Sequence, residues 1–306
     1  MLGDFYSGLI IIMILIFIGF LLSKIKIITD NGVTFLSHFI LSVALPVAFL
    51  NSFPNEFNST DLNLFLWGAV SCIIVLSLLI IISQFLFSKK IVKKNNYEYK
   101  FAFAFNNTSF IGYPLVSMAF GSEGLVAYAG FMLPWVIALF TYGVWLFNDK
   151  YTWRDTVKGF VNPNVIGILL GATLFITGIN MPHVLQETTS LIAGLTTPLA
   201  LLCIGFMLAN AEFKTLFKRW QVVFVCILQL VLAPLFTWLL LTIMNAPLVV
   251  IQVLVLMQAL PTAAALGLFN KKYKGTKTEA GEIVTLSTLM AAITVPIIIY
   301  FVIGII

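Results

Sequence analysis

Charged side chains are the scarcest component of this sequence. Only 9% of its 306 residues are charged, whereas 60% are hydrophobic. A water-soluble protein carries about 25% charged residues. Because so few charges cannot cover a water-facing surface, the composition excludes a soluble globular protein and indicates that lipid is the main solvent.

Cysteine and histidine are also rare, with three cysteines and two histidines. Cys72, Cys203 and Cys226 lie in apolar segments at unrelated spacings, so we expect neither a disulfide framework nor a metal site. The sequence shows no serine–histidine–aspartate, HExxH or paired-acid pattern, which argues against an enzyme and leaves no cofactor to expect. Every Asp and Glu falls in a loop or at the end of an apolar segment, which argues against a cation/proton antiporter.

Apolar segments of about 20 residues fill most of the chain, and that length spans the ~30 Å hydrocarbon core of a bilayer. We predict ten membrane spans, at 5–22, 33–51, 62–87, 101–120, 125–147, 161–179, 188–209, 220–242, 247–269 and 282–305. The connections are too short to hold a soluble domain. The predicted fold class is therefore an all-α polytopic membrane protein with ten transmembrane helices.

The basic residues orient these spans. All 17 lysines and arginines fall in five connections on one predicted side, at 23–32, 88–100, 148–160, 210–219 and 270–281. Basic residues mark cytoplasmic loops. We therefore expect a multi-pass plasma-membrane protein with both termini extracellular, and we attribute the net charge of +5 to orientation rather than to nucleic-acid binding.

The spans divide into two groups of five of opposite orientation. The first repeat would be 1–147, the cytoplasmic linker 148–160 and the second repeat 161–306. Similar elements recur in order, such as PVAFL in span two and PLALL in span seven, or Pro114 in span four and Pro261 in span nine. This order predicts an inverted repeat, an architecture of secondary transporters.

Span four contains the polar run FNNTSFIGYP at 105–114, and span nine contains LMQALPTAAALGLFN at 256–270. Proline lacks an N–H and interrupts a helix, and asparagine and serine compete for backbone groups. We expect each helix to stop, continue as extended chain and resume, in span four near Pro114. The alternative is a pair of proline-kinked helices whose polar residues join neighbouring helices.

Two broken helices that cross would bring two helix N-termini together near the midplane. Helix N-termini bind anions because they present free N–H groups and a partial positive charge. The site predicted in this way comprises Asn107, Thr108, Ser109, Gly112, Tyr113, Pro114, Gln258, Pro261 and Thr262.

The segments NTSFIGYPL (107–115), QALP (258–261) and STLMAAITVPI (287–297) resemble the auxin efflux carrier family. The resemblance implies two inverted five-helix repeats, a scaffold of spans 1, 2, 6 and 7, a transport domain of spans 3–5 and 8–10, and a homodimer joined through the scaffold. It also implies that spans four and nine cross with a carboxylate bound beside the crossing. Asn106 and Ser109 stand where many bacterial members have glycine, and the short 148–160 loop is similar to that of bacterial malate or malonate permeases.

The expected function is therefore secondary transport of small organic anions, such as malate or an auxin-like acid, by alternating access. An anion channel and a non-transporting membrane sensor or scaffold stay open as alternatives. The expected partners are the substrate, the lipid bilayer and a second copy of the chain, with no nucleic acid.

Overall fold

A computed structural model describes residues 2–53, 59–88, 92, 96–210, 219–274 and 279–304. In the first half the helices are α1 (Leu2–Lys24), α2 (Asp30–Phe39), α3 (Leu45–Leu50), α4 (Ser59–Leu86), α5 (Asn96–Ala104), α6 (Tyr113–Ala138), α7 (Val144–Phe147) and α8 (Trp153–Phe160). In the second half they are α9 (Pro163–Thr177), α10 (His183–Gly194), α11 (Thr196–Ala209), α12 (Trp220–Ile227), α13 (Ala233–Ile243), α14 (Leu248–Ala259), α15 (Ala265–Tyr273) and α16 (Ala280–Gly304). Within the described residues no β-strand occurs.

Four wide π-helical turns interrupt the α-helices, at Ile40–Ala44, Thr108–Gly112, Leu139–Gly143 and Leu228–Leu232. Three of these turns end two residues before a proline, namely Pro46, Pro114 and Pro234. A proline inside a helix removes one N–H donor and clashes with a carbonyl of the preceding turn. A wide turn relieves that clash while the helix continues.

Several helical segments match the thickness of a membrane. Six are long and apolar enough to cross it: Asp30–Leu50, Ser59–Leu86, Thr108–Phe147, His183–Ala209, Trp220–Ile243 and Ala280–Phe301. Three shorter apolar helices accompany them, at Ile10–Lys24, Pro163–Thr177 and Leu248–Ala259. The 40-residue segment Thr108–Phe147 changes direction at Gly121, whose φ is +57°. The chain is an all-helical multi-pass membrane protein, and the count of ten crossings stays a prediction.

Glycine lets three helix pairs approach closely. A Cβ atom at Gly205 of α11 would overlap the backbone of α1, and one at Gly68 of α4 would overlap Ala127 O of α6. A Cβ atom at Gly167 of α9 would overlap Pro46 O of α3. Close approach at small residues is the usual way that helices associate in lipid, where the hydrophobic effect between helices is absent.

The helix contacts form two sets. In one set, α1 packs on α11, α3 packs on α9 and α10, and α2 packs on α11. In the other, α4 packs on α6 and α5, α14 packs on α13, α6 and α16, and α12 packs on α16. The two sets meet where α11 contacts the π turn Thr108–Gly112 and where α6 contacts α9.

Basic side chains join connections on one predicted side of the protein. Lys24, at the end of α1, donates a 2.7 Å hydrogen bond to Ala209 O at the end of α11. Lys274, after α15, lies 2.6 Å from the carboxylate of Asp149, after α7. A cation at a helix C-terminus is favourable because it faces the negative end of the helix dipole. Each contact brings together two helix ends from distant parts of the sequence.

Candidate functional site

Two helix breaks meet in the interior. Helix α5 ends at Ala104, and the chain runs through 105–107 before helix resumes as the π turn. Helix α14 ends at Ala259, and 260–264 precede α15. The two interrupted stretches pair at one antiparallel β-bridge between Asn106 and Thr262.

Two backbone hydrogen bonds hold this crossing together. Asn107 N–H donates to Pro261 O at 2.6 Å, and Ala263 N–H donates to Phe105 O at 3.0 Å. A helix break leaves backbone groups without intrahelical partners, and such groups are tolerated at membrane depth only inside protein or beside water. Here each break supplies partners for the other, so the polar run and the prolines mark the crossing that the sequence predicts.

The first helix resumes earlier than predicted. It starts at Thr108 rather than near Pro114, so the prediction is wrong by about six residues. The turn occurs at Asn107, whose φ of −79° and ψ of 60° define an inverse γ-turn, and Thr108 N–H donates to Asn106 O at 2.8 Å. Pro114 then lies in the first turn of α6, after a π turn that accommodates its missing N–H.

Asn106 ties the crossing together through its side chain. It is fully buried, and its Nδ2 donates to Met257 O at 2.8 Å and to Gln258 Oε1 at 3.0 Å. Its Oδ1 accepts a 2.9 Å hydrogen bond from Gln229 Nε2. Gln258 therefore lies at the crossing as predicted, with its amide oxygen bound to Asn106.

Two residues that the sequence prediction left out complete the network. Gln229 Oε1 accepts from Thr262 Oγ1 at 2.7 Å, and Ser287 Oγ accepts from Thr262 N–H at 3.1 Å. Gln229 lies in the π turn Leu228–Leu232 and Ser287 lies in α16. A glutamine in an otherwise apolar segment, five residues before Pro234, is the signal that could have identified Gln229.

Two polar side chains at the crossing are not used by the network. The Thr108 hydroxyl is fully buried and has no hydrogen-bond partner among the described residues. The Asn107 amide is 7% exposed and likewise bonds to no side chain or backbone group in the described ranges. Tyr128 Oη donates to Thr108 O at 2.8 Å, which fixes the backbone beside these groups. Buried polar groups normally have partners, so these two are unsatisfied hydrogen-bonding groups at the crossing.

The remaining predicted residues line the first turns of the resumed helix. Ser109 and Tyr113 are half-buried, and Pro114 is buried. Gly112 faces Met257, because a Cβ atom on Gly112 would lie 2.8 Å from Met257 Sδ. The crossing thus gathers Asn107, Thr108, Gln258, Pro261 and Thr262, while Ser109 to Pro114 extend from it along one helix.

The hydrogen bonds of the crossing involve only neutral groups. In the described part of the chain no charged side chain bonds to its two extended stretches. Glu98, two turns upstream on α5, is fully buried and accepts a 2.8 Å hydrogen bond from Asn270 Nδ2 on α15. The sequence places this carboxylate at a span end, whereas packing of α5 against α15 encloses it.

Two cavities lie away from the crossing. One, of about 200 Å³, is lined by α3, α9 and α10 and includes Asn51, Asn180, Gln186 and Ser190. The other is an apolar groove of about 380 Å³ between α13, α14 and α16. Neither of these two cavities is lined by a crossing residue.

A helical multi-pass membrane protein whose two broken helices meet at a buried polar crossing has the architecture of a membrane transporter. A family model described as "Membrane transport protein" matches residues 4–299. The chain therefore belongs to that family, the auxin efflux carrier family, which is a transporter family and not an enzyme family. No curated protein matches the chain.

Proposed function

We propose that the protein is a secondary carrier of small organic anions, carboxylates such as malate or an auxin-like acid. The observation that supports this most directly is the crossing itself, where two broken helices pair in the interior and leave neutral donors unused. The substrate carboxylate would bind beside the crossing, and access to it would alternate between the two sides of the membrane.

The unused groups determine which residues would contact the carboxylate. The Asn107 amide and the Thr108 hydroxyl can each donate a hydrogen bond, and they lie where the resumed helix begins. Its first backbone N–H groups and the positive end of its dipole favour an anion there. Thr262 and Gln258 would act as the frame, because their side chains already bond within the network. Ser109, Gly112, Tyr113 and Pro114 would line the approach.

The two sets of helix contacts support a scaffold and a transport domain. Under the predicted inverted repeat, span one corresponds to span six and span two to span seven. The packing of α1 on α11 (spans one and seven) then corresponds to that of α9 on α3 (spans six and two). The substrate would lie where α11 meets the π turn Thr108–Gly112, between the set that stays and the set that moves. Two copies would associate through the scaffold.

The basic residues support the orientation in the membrane. Contacts such as Lys24 with Ala209 and Lys274 with Asp149 join connections that the positive-inside rule places in the cytoplasm. The protein would then lie in the plasma membrane with both termini on the extracellular side.

Counterflow in proteoliposomes tests the proposal. A panel of mono- and dicarboxylates is first screened for thermal stabilisation of the purified protein, since a ligand at a hundred times its Kd stabilises by ~2.7 kcal/mol. Liposomes preloaded with the best ligand should then take up its labelled form against its gradient. Asn107→Ala should weaken binding by about 1–3 kcal/mol, the loss of one hydrogen bond to a charged group.

Each rival function has its own signature in these assays. Single-channel currents would identify an anion channel, and ligand binding without counterflow would identify a sensor or scaffold. Equal uptake kinetics for the wild type and Asn107→Ala would remove Asn107 from the site.

A further inference from the structure

Helix α8 (Trp153–Phe160), in the connection between the two predicted repeats, turns its small side toward the protein. Gly159 is buried against α6 and the following π turn, where a Cβ atom would lie 3.0 Å from Thr141 Cγ2. A capping box between Thr152 and Asp155 fixes the start of the helix. The helix is therefore docked in one orientation.

The opposite side of α8 is apolar and exposed. At 100° per residue, Trp153, Val157, Phe160 and Val161 fall within one sector about 100° wide. Their exposed fractions are 73%, 42%, 54% and 65%. Arg154 lies on the flank of this sector and is also exposed. A helix on the surface of a soluble protein has the reverse arrangement, with its apolar side against the protein.

The position of α8 along the chain brings this apolar face to the membrane surface. Helix α7, the end of the 40-residue apolar segment, stops at Phe147, and the apolar helix α9 starts at Pro163. A short amphipathic helix with aromatic residues on one face and basic residues beside it is typical of helices that lie in the headgroup layer. Lys150 and Arg154 add positive charge next to the apolar face.

We propose that α8 is an interfacial helix that lies in the headgroup layer of the cytoplasmic leaflet and binds anionic lipid. Trp153, Val157, Phe160 and Val161 reach into the acyl boundary, while the basic groups bind lipid phosphates. The connection between the repeats is then a membrane-bound strap. This surface is separate from the crossing and does not depend on which substrate is carried.

Tryptophan quenching in nanodiscs tests the depth of α8. The emission of Trp153 is obtained as the difference between the wild type and Trp153→Phe, in lipids brominated either near the headgroup or near the chain end. We expect strong quenching by the shallow bromines, weaker quenching by the deep ones and protection from iodide. Trp238, in α13 and 40% exposed beside the apolar groove, lies within a predicted span and is the control for a lipid-facing tryptophan, which brominated lipid should quench and iodide should not.

Two results would overturn this placement. Quenching by iodide and not by brominated lipid would put Trp153 in water. Quenching by neither would show that a second copy or another protein covers α8.

The preference for anionic lipid needs a separate measurement. Nanodiscs of neutral lipid receive a small fraction of brominated anionic lipid, and Trp153 quenching reports its local enrichment. Because each basic residue near a charged surface contributes ~1 kcal/mol, Arg154→Gln and Lys150→Gln should each reduce enrichment by up to about fivefold. Lys26→Gln, an exposed change in another connection, should leave Trp153 quenching unchanged. Equal enrichment of anionic and neutral brominated lipid would refute the lipid selectivity.

Discussion

Replacing Asn106 with alanine should destabilise the whole crossing. The change removes three hydrogen bonds, to Met257 O, Gln258 Oε1 and Gln229 Nε2. Gln229 keeps a 3.4 Å contact with Leu260 O, and Met257 O keeps one with Leu260 N–H, so among these three groups only Gln258 Oε1 is left without a hydrogen-bond partner in the described part of the chain. An orphaned buried acceptor costs ~1–3 kcal/mol and each net hydrogen bond ~0.5–1.5 kcal/mol. The expected loss in the free energy of unfolding is therefore about 2–6 kcal/mol.

Asn107→Ala is the matched control, one residue away with the same change in side chain. Because the Asn107 amide bonds to no described residue, its removal should lower the free energy of unfolding by less than about 1 kcal/mol. Its effect should appear in substrate binding alone. Asn106→Ala should lose stability and binding together, because the frame of the site depends on it.

Equilibrium unfolding in mixed micelles, followed by far-UV circular dichroism, measures the stability of both variants beside the wild type. Isothermal titration with the carboxylate identified by thermal shift measures binding. An Asn106→Ala protein with the unfolding free energy of the wild type would refute the account of Asn106 as the residue that holds the crossing.

Three further changes test other parts of the structure. Pro261→Ala should abolish most substrate binding while the protein still reaches the membrane, and Pro114→Ala should weaken binding less, because Pro261 lies in the bridge and Pro114 one turn beyond the break. Equal binding by the wild type and both variants in a ligand titration would argue that the prolines are ordinary kinks. The valine side chain of Gly68→Val should overlap the backbone of α6 and lower the midpoint of thermal unfolding, whereas Gly281→Ala, with no atom within 4 Å of its new Cβ, should leave the midpoint unchanged. A wild-type midpoint for Gly68→Val would contradict the close packing of α4 on α6. A cysteine at position 180 in place of Asn180 should react with an impermeant thiol reagent on intact cells, and the native cysteines should add little background because they are buried. Labelling only in inverted vesicles would reverse the predicted orientation.

The local composition of span four was sufficient to predict where its helix is interrupted. Four consecutive polar residues in an apolar segment compete with helical hydrogen bonds, and the matching Gln258 and Pro261 identify the second break. These are short-range effects, so they can be seen in the sequence. The same reasoning misplaced the restart near Pro114, because a proline removes a donor only at its own position and a π turn can absorb that loss.

The rest of the site depends on packing. Gln229 is one glutamine among several in apolar spans, and its role appears only when α13 and its preceding π turn lie beside the crossing. Ser287 has no distinguishing feature in the sequence, and its role appears only in the packed structure, where its hydroxyl accepts a hydrogen bond from Thr262 N–H. Asn106 shows the same limit, since the sequence marks it only as a departure from the glycine of many bacterial members, and its three hydrogen-bond partners appear only in the packed structure. Long-range partners of this kind are not encoded in local periodicity.

The neutral character of the crossing has an electrical consequence for the proposed carrier. Its two extended stretches bond only to uncharged groups among the described residues, so a bound carboxylate keeps its charge as the site changes sides. Fixed charges elsewhere in the moving part, such as a charge on Glu98, cross in one direction with the loaded site and return with the empty site. Their contributions to the net charge moved in one transport cycle therefore cancel. Each turnover with a monocarboxylate would therefore move one net negative charge across the membrane. A potential of 100 mV changes the free energy of that step by ~2.3 kcal/mol. In a cell with a negative interior, the voltage alone would drive the anion outward.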